Sequence, residues 1–145
     1  MKLIILGVPA CKQSARIGKD REGNARAFKS SKVKRAEENI RAQVISQLPK
    51  NHIPWAGPIK VNSIQYIFPL LKKHTTSKKT MKYIEEGNIL IKTTKPDLPD
   101  NLNKPLFDAM EGIVFLNDSQ VYEVNKMSKR YGYTPKTIID LEETI

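Results

Sequence analysis

Four residues in the later part of the chain have types and spacing that could act on a phosphodiester: Asp97, Asp100, Lys104 and Asp118. Asp97 and Asp100 flank a turn that Pro96 and Pro99 stiffen, so two carboxylates could be held there with little entropy left to lose. Lys104 follows Asp100 by one helical turn, and Asp108 follows Lys104 by another, which places the three on one stripe. Asn117-Asp118-Ser119-Gln120 reads as a polar turn ahead of a strand. Carboxylate oxygens are hard donors, and magnesium takes one or two of them together with waters and substrate phosphates. A cation so held would polarise a phosphate and activate a water, while a nearby lysine stabilises the developing charge.

Each position also has a structural role open to it. Asp100 is placed to cap a helix. The four-residue spacing of Asp100, Lys104 and Asp108 equally describes surface ion pairs. Asn117-Asp118 is common turn chemistry. On spacing alone the structural role is the commoner one at each position, although the combination says more than any one residue.

The elements that must position these groups follow from periodicity. Residues 2–8 read as a buried strand. The segment 11–31 is basic, polar and aperiodic, which predicts a loop. Val33, Ala36, Ile40, Val44 and Leu48 recur at helical spacing until Pro49 stops the helix. Residues 59–68 read as a strand whose apolar parity changes near Ser63, leaving room for a bulge. A second basic loop covers 72–80, followed by a short helix at 81–86 and a short strand at 89–91. In the segment 95–121, Leu102, Leu106, Ala109, Met110 and Ile113 predict a helix from about Asn101 to Glu111, with Asp100 as its N-cap and Gly112 just beyond its end. Strands are expected at 121–127 and 136–141. The order is that of a single α/β domain spanning 1–145, a mixed sheet with two main helices on one face.

Composition narrows the class. The chain of 145 residues is long enough for one modest core. No apolar run approaches bilayer length, and the stretch from Leu3 to Val8 is too short for a secretory signal, so a cytoplasmic protein is expected. The one cysteine, Cys11, excludes an internal disulfide and a thiolate zinc cage, and His52 and His74 do not complete a Cys/His metal site. The net charge is +10, unevenly spread: residues 1–60 hold 13 Lys/Arg against 4 Asp/Glu, whereas residues 97–145 hold 5 against 9. The basic part suits a polyanion, and it suits equally a solvated surface that aids solubility.

The string Lys95-Pro96-Asp97, Asp100-Asn101-Leu102, Lys104, Asp108-Ala109 and Asn117-Asp118-Ser119-Gln120-Val121 resembles the signature of RusA-type Holliday-junction resolvases. That family has an Asp-x-Asp-Asn turn, a lysine three residues after the asparagine, an Asp-Ala pair on the helix and an acidic turn followed by Gln and Val. The opening Gly7-Val8-Pro9, followed by a basic segment, is similar to the family's start. The resemblance implies a homodimeric endonuclease that cuts four-way DNA junctions with magnesium or manganese, in recombination and repair. Its metal-binding acids would map to Asp97, Asp100 and Asp118 and its essential lysine to Lys104. Lys12, Arg16, Lys19, Arg21, Arg26 and Lys29, with Lys72, Lys73, Lys78 and Lys79, would contact DNA phosphates. Two departures stand out: Leu98 and Pro99 both separate the first two acids where the family has one residue, and Asn117 stands where it often has an acid. A non-catalytic DNA-binding protein, or a nuclease for other branched or flapped DNA, are the competing readings; cleavage with magnesium against EDTA separates the first from an enzyme.

Overall fold

A computed structural model describes residues 1–11, 16–19, 21–28 and 31–145, with the backbone alone at 16–19 and 25–28. Along the chain come β1 (Lys2–Leu6), β2 (Arg16–Lys19), β3 (Ala25–Phe28), α1 (Ser31–Gln47) and β4 (Ile59–Pro69). Then follow α2 (Lys72–Thr75), α3 (Lys78–Glu85), β5 (Leu90–Ile91) and α4 (Asn103–Met110), and finally β6 (Val121–Val124), β7 (Met127–Gly132) and β8 (Lys136–Glu143). The main sheet has the order β1-β8-β4-β7-β5, with β6 also paired to β4. Central β4 runs antiparallel to β8 and parallel to β6 and β7, so the sheet is mixed as expected.

Period-2 alternation sets which face is covered. Leu3 and Ile5 of β1, Ile139 and Leu141 of β8, and Ile64, Tyr66 and Phe68 of β4 are buried in one cluster. Ile59 and Val61 are buried too, at the opposite parity, and a register shift between Val61 and Ser63 reconciles them. One extra residue in a strand resets the alternation, so the expected bulge keeps the apolar side chains on one side. α1 contributes Val33, Ile40 and Val44 to the interior, α4 contributes Leu106, Ala109 and Met110, and the two helices pack on each other. Each fully buried Leu, Ile or Met side chain contributes about 1.5–3 kcal/mol, so this stripe fixes how α4 is rotated.

β1 is an edge strand, and α1 covers its open side. Gln47 accepts from the Ile4 amide at 2.9 Å and donates to the Ile4 carbonyl at 2.7 Å. Gln43 does the same for Leu6, at 2.8 and 3.1 Å. Two glutamines one helical turn apart thus stand in for a neighbouring strand, satisfying groups that would otherwise template self-association.

Several expectations are corrected. The segment 11–31 contains the antiparallel hairpin β2–β3, with Gly23 at φ +84° in its connection. The segment 72–80 is largely helical: Ser77 caps α3 by accepting from the Thr80 amide at 3.2 Å, so the helix begins before residue 81. The expected strand at 121–127 is two strands, because Asn125 and Lys126 break the run where β4 bulges. Asp100 is not an N-cap. It lies inside a π-helical turn, Leu98–Leu102, that leads directly into α4, whose N-cap position is Leu102. Gly112, at φ +84°, does follow the helix end.

Candidate active site

The turn bearing the two aspartates is built around its extra residue. Leu102 donates its amide to the Asp97 carbonyl at 3.3 Å, a five-residue closure that absorbs one residue more than an α-turn would. Asn103 braces this wide turn from within. Its amide nitrogen donates to the carbonyls of Leu98 and Pro99, each at 3.0 Å, and its oxygen accepts from the Tyr66 hydroxyl at 2.6 Å. Burial pushes the Tyr66 phenol well above the usual tyrosine range, so it stays a donor. From β7, Lys129 donates to the carbonyls of Thr94 and Pro96 at 2.5 and 2.8 Å, holding the strand side of the same segment. Asp97 and Asp100 are exposed on this braced turn.

A second acidic group converges on Lys104. Its ammonium lies 3.3 Å from Asp108 and 3.9 Å from Asp118, with Asp108 only 13% exposed and Lys104 half-exposed. The one-turn spacing of Lys104 and Asp108 therefore does produce an ion pair. Asp118 comes from the 3-10 turn Asp118–Gln120, and its amide donates to the Glu111 carboxylate at 3.3 Å. Asn117 caps that turn, accepting from the Ser119 amide at 2.9 Å, while Gln120 accepts from the Asn117 amide at 2.6 Å. Gln120 also donates to the carbonyls of Trp55 and Gly57, both at 2.8 Å, anchoring the loop to the connection before β4.

The arrangement thus brings together Lys104, Asp108, Asp118 and Glu111. Among the described residues, Asp97, Asp100 and Asp118 do not form a group of three or more donors that could share one metal ion. In donor chemistry alone the three aspartates suit a hard cation, since each offers carboxylate oxygen, and Asp118 is one of the two carboxylates beside the Lys104 ammonium. Neither Asp118 nor Lys104 is enclosed, so a phosphate could approach both.

The supporting contacts of Asn103, Glu111, Gln120 and Lys129 differ in how far the sequence signals them. Gln120 follows a capping residue by three, a signal of the capping box. Lys129 has no such local sign, because sheet pairing alone brings β7 beside residues 94–96. Of the expected phosphate contacts, Arg21, Lys72, Lys73, Lys78 and Lys79 are exposed, the lysines on α2 and α3. Arg16, Lys19 and Arg26 lie on the β2–β3 hairpin, while Lys12 and Lys29 fall outside the described residues.

The family model for endodeoxyribonuclease RusA matches residues 7–142. The chain is also 29% identical over 143 residues to the uncharacterized protein YqaN of Bacillus subtilis (strain 168), covering 99% of this chain and 96% of that one. The family match takes in the braced turn, the helix and the acidic loop together.

Proposed function

This chain belongs to the RusA endodeoxyribonuclease family, and from that premise we propose that it resolves four-way DNA junctions by metal-assisted phosphodiester hydrolysis. The observation that carries the reading is Lys104 set between Asp108 and Asp118 on the exposed end of α4. Asp118, with Asp97 and Asp100 from the neighbouring turn, would hold magnesium or manganese. That ion would supply Lewis-acid polarisation of the phosphate and a more acidic bound water. Lys104 would donate to a non-bridging oxygen as charge builds on it, in a site where a preplaced cation needs no rearrangement. Asp108, mostly buried beside it at 3.3 Å, keeps the ammonium aimed.

Two active sites acting on symmetry-related strands call for a two-fold homodimer. The exposed lysines of α2 and α3 and the basic hairpin segment would contact phosphates without reading sequence. Such an activity serves recombination and repair, in the cytoplasm with the DNA; no described helix is long and apolar enough to cross a membrane. The experiment is cleavage of a synthetic four-way junction with magnesium and with EDTA, alongside flap and duplex DNA. Metal-dependent cutting of the junction in preference to the others is the expected result. Equal cutting of flaps would move the substrate to branched DNA in general, and no cutting under any condition would leave a binding protein.

A further inference from the structure

Beside β7 runs an open groove of about 770 Å³. β5 is only two residues long and pairs with Tyr131 and Arg130, the Lys92 amide extends that cover to the Lys129 carbonyl at 3.3 Å, and the groove continues past it along Ser128 and Met127. Its lining includes Lys92, Lys126, Lys129 and Arg130, and no aspartate or glutamate. The floor is apolar, with Ile91 70% exposed although it lies in a strand. Leu98, the first residue of the π-helical turn and the neighbour of Asp97, forms one wall.

The four cations differ in what they are free to do. Lys92 is buried with its ammonium 4.9 Å from the ring centres of both Phe68 and Tyr131, so it adds to the field rather than touching a ligand. Lys129 is committed to the carbonyls of Thr94 and Pro96. Arg130 spends one donor on Gln65 at 3.2 Å, and its Nε is buried with no hydrogen-bond partner. Lys126 is exposed at the break between β6 and β7. A half-buried guanidinium and an exposed ammonium, over an aliphatic floor, match phosphates joined by deoxyribose.

We propose that this groove seats the sugar–phosphate backbone of the DNA strand that enters the catalytic turn, an assignment that rests on the DNA-cleaving function above. Leu98 makes the path continuous: a strand lying along β7 arrives at Asp97 and Asp100. Backbone phosphates are the occupant whose charge complements this lining, which holds lysines and an arginine and no carboxylate.

The test measures binding of a four-way junction in EDTA, so that cleavage plays no part, over a series of salt concentrations. Lys126→Ala removes one cation, and Ser128→Glu places a negative charge at an exposed position on the groove. Lys2→Ala, on β1 at the opposite edge of the sheet, makes the same charge change as Lys126→Ala. The expected result is weaker binding for both groove variants, with the log–log salt slope of Lys126→Ala reduced by about 1, and parent behaviour for Lys2→Ala. Equal slopes for Lys126→Ala and Lys2→Ala would overturn the groove assignment while leaving the function intact. Loss of a dimer by Ser128→Glu with unchanged DNA binding would also overturn it, assigning the groove to a second copy. A parent protein that binds no junction would remove the functional reading itself and this assignment with it.

Discussion

The Lys104 ammonium lies 3.9 Å from the Asp118 carboxylate, joining α4 to the loop that follows it. Both side chains are partly exposed, and exposed ion pairs are worth about 0–1 kcal/mol, so the pair does little to hold the fold. Its position matters more than its stability. Lys104→Ala is expected to lower junction cleavage by about 100-fold or more while shifting stability by about 1 kcal/mol or less. Single-turnover cleavage and urea denaturation of the same preparation separate the two. A variant that unfolds readily yet cleaves normally would reverse this assignment of Lys104.

Asn103 is expected to behave in the opposite way. It ties the carbonyls of Leu98 and Pro99 to the Tyr66 hydroxyl, and a hydrogen bond removed from a part-buried site costs about 1–3 kcal/mol. Asn103→Ala should therefore lower the urea midpoint and, by loosening the turn, reduce cleavage more than junction binding. Tyr66→Phe should reproduce a smaller part of both effects. If Asn103→Ala retains the parent's stability, the brace is not what holds the turn.

Covering the β1 edge makes a separate prediction. Gln47→Ala leaves the Ile4 amide and carbonyl without their side-chain partner, at a cost of about 1 kcal/mol. The exposed edge should also raise concentration-dependent association, measurable by light scattering. A monodisperse Gln47→Ala protein at high concentration would argue that the edge is protected by other means.

Stability should depend on pH through His74. Burial, reinforced by Lys73 and then Lys92, holds its imidazole below the ordinary histidine value. The unfolded chain therefore takes up that proton first. The stability contributed by the neutral ring is full above the unfolded value of about 6.5 and is lost as pH falls from there through the folded value. The Nδ1 atom accepts from the Leu71 amide at 3.0 Å, which places the ring's own proton on Nε2. Urea midpoints at decreasing pH should fall in that window for the parent, and His74→Asn should lose most of the dependence. An unchanged slope in the variant would assign the acid sensitivity elsewhere.

Where burial imposes a period, the chain could be read directly. The stripe of α1, the alternation of β4 with its break near Ser63, and the last strand all reach the structure at close to their expected limits. The failures are of a different kind. The strands of the β2–β3 hairpin are four residues each and pair with one another outside the main sheet, too short to show a period against a basic background. The short helix expected at 81–86 is present as α3 but starts at Lys78; no residue of it is buried, and the sign of its true start is the cap at Ser77. The site was legible in part: the ion pair of Lys104 with Asp108 follows from spacing along one helix. The reach to Asp118, the brace of Asn103 against Tyr66 and the hold of Lys129 on Thr94 and Pro96 depend on contacts distant in sequence. The extra residue between Asp97 and Asp100 had a physical answer that spacing does not reveal, a π-helical turn.

The most direct test replaces Asp118 with asparagine, which keeps the shape of the side chain and removes its charge. Asp118→Asn should bind a synthetic four-way junction in EDTA as the parent does, and should not cut it when magnesium is supplied. Cleavage of the junction by Asp118→Asn at the parent's rate would contradict the assignment of this site.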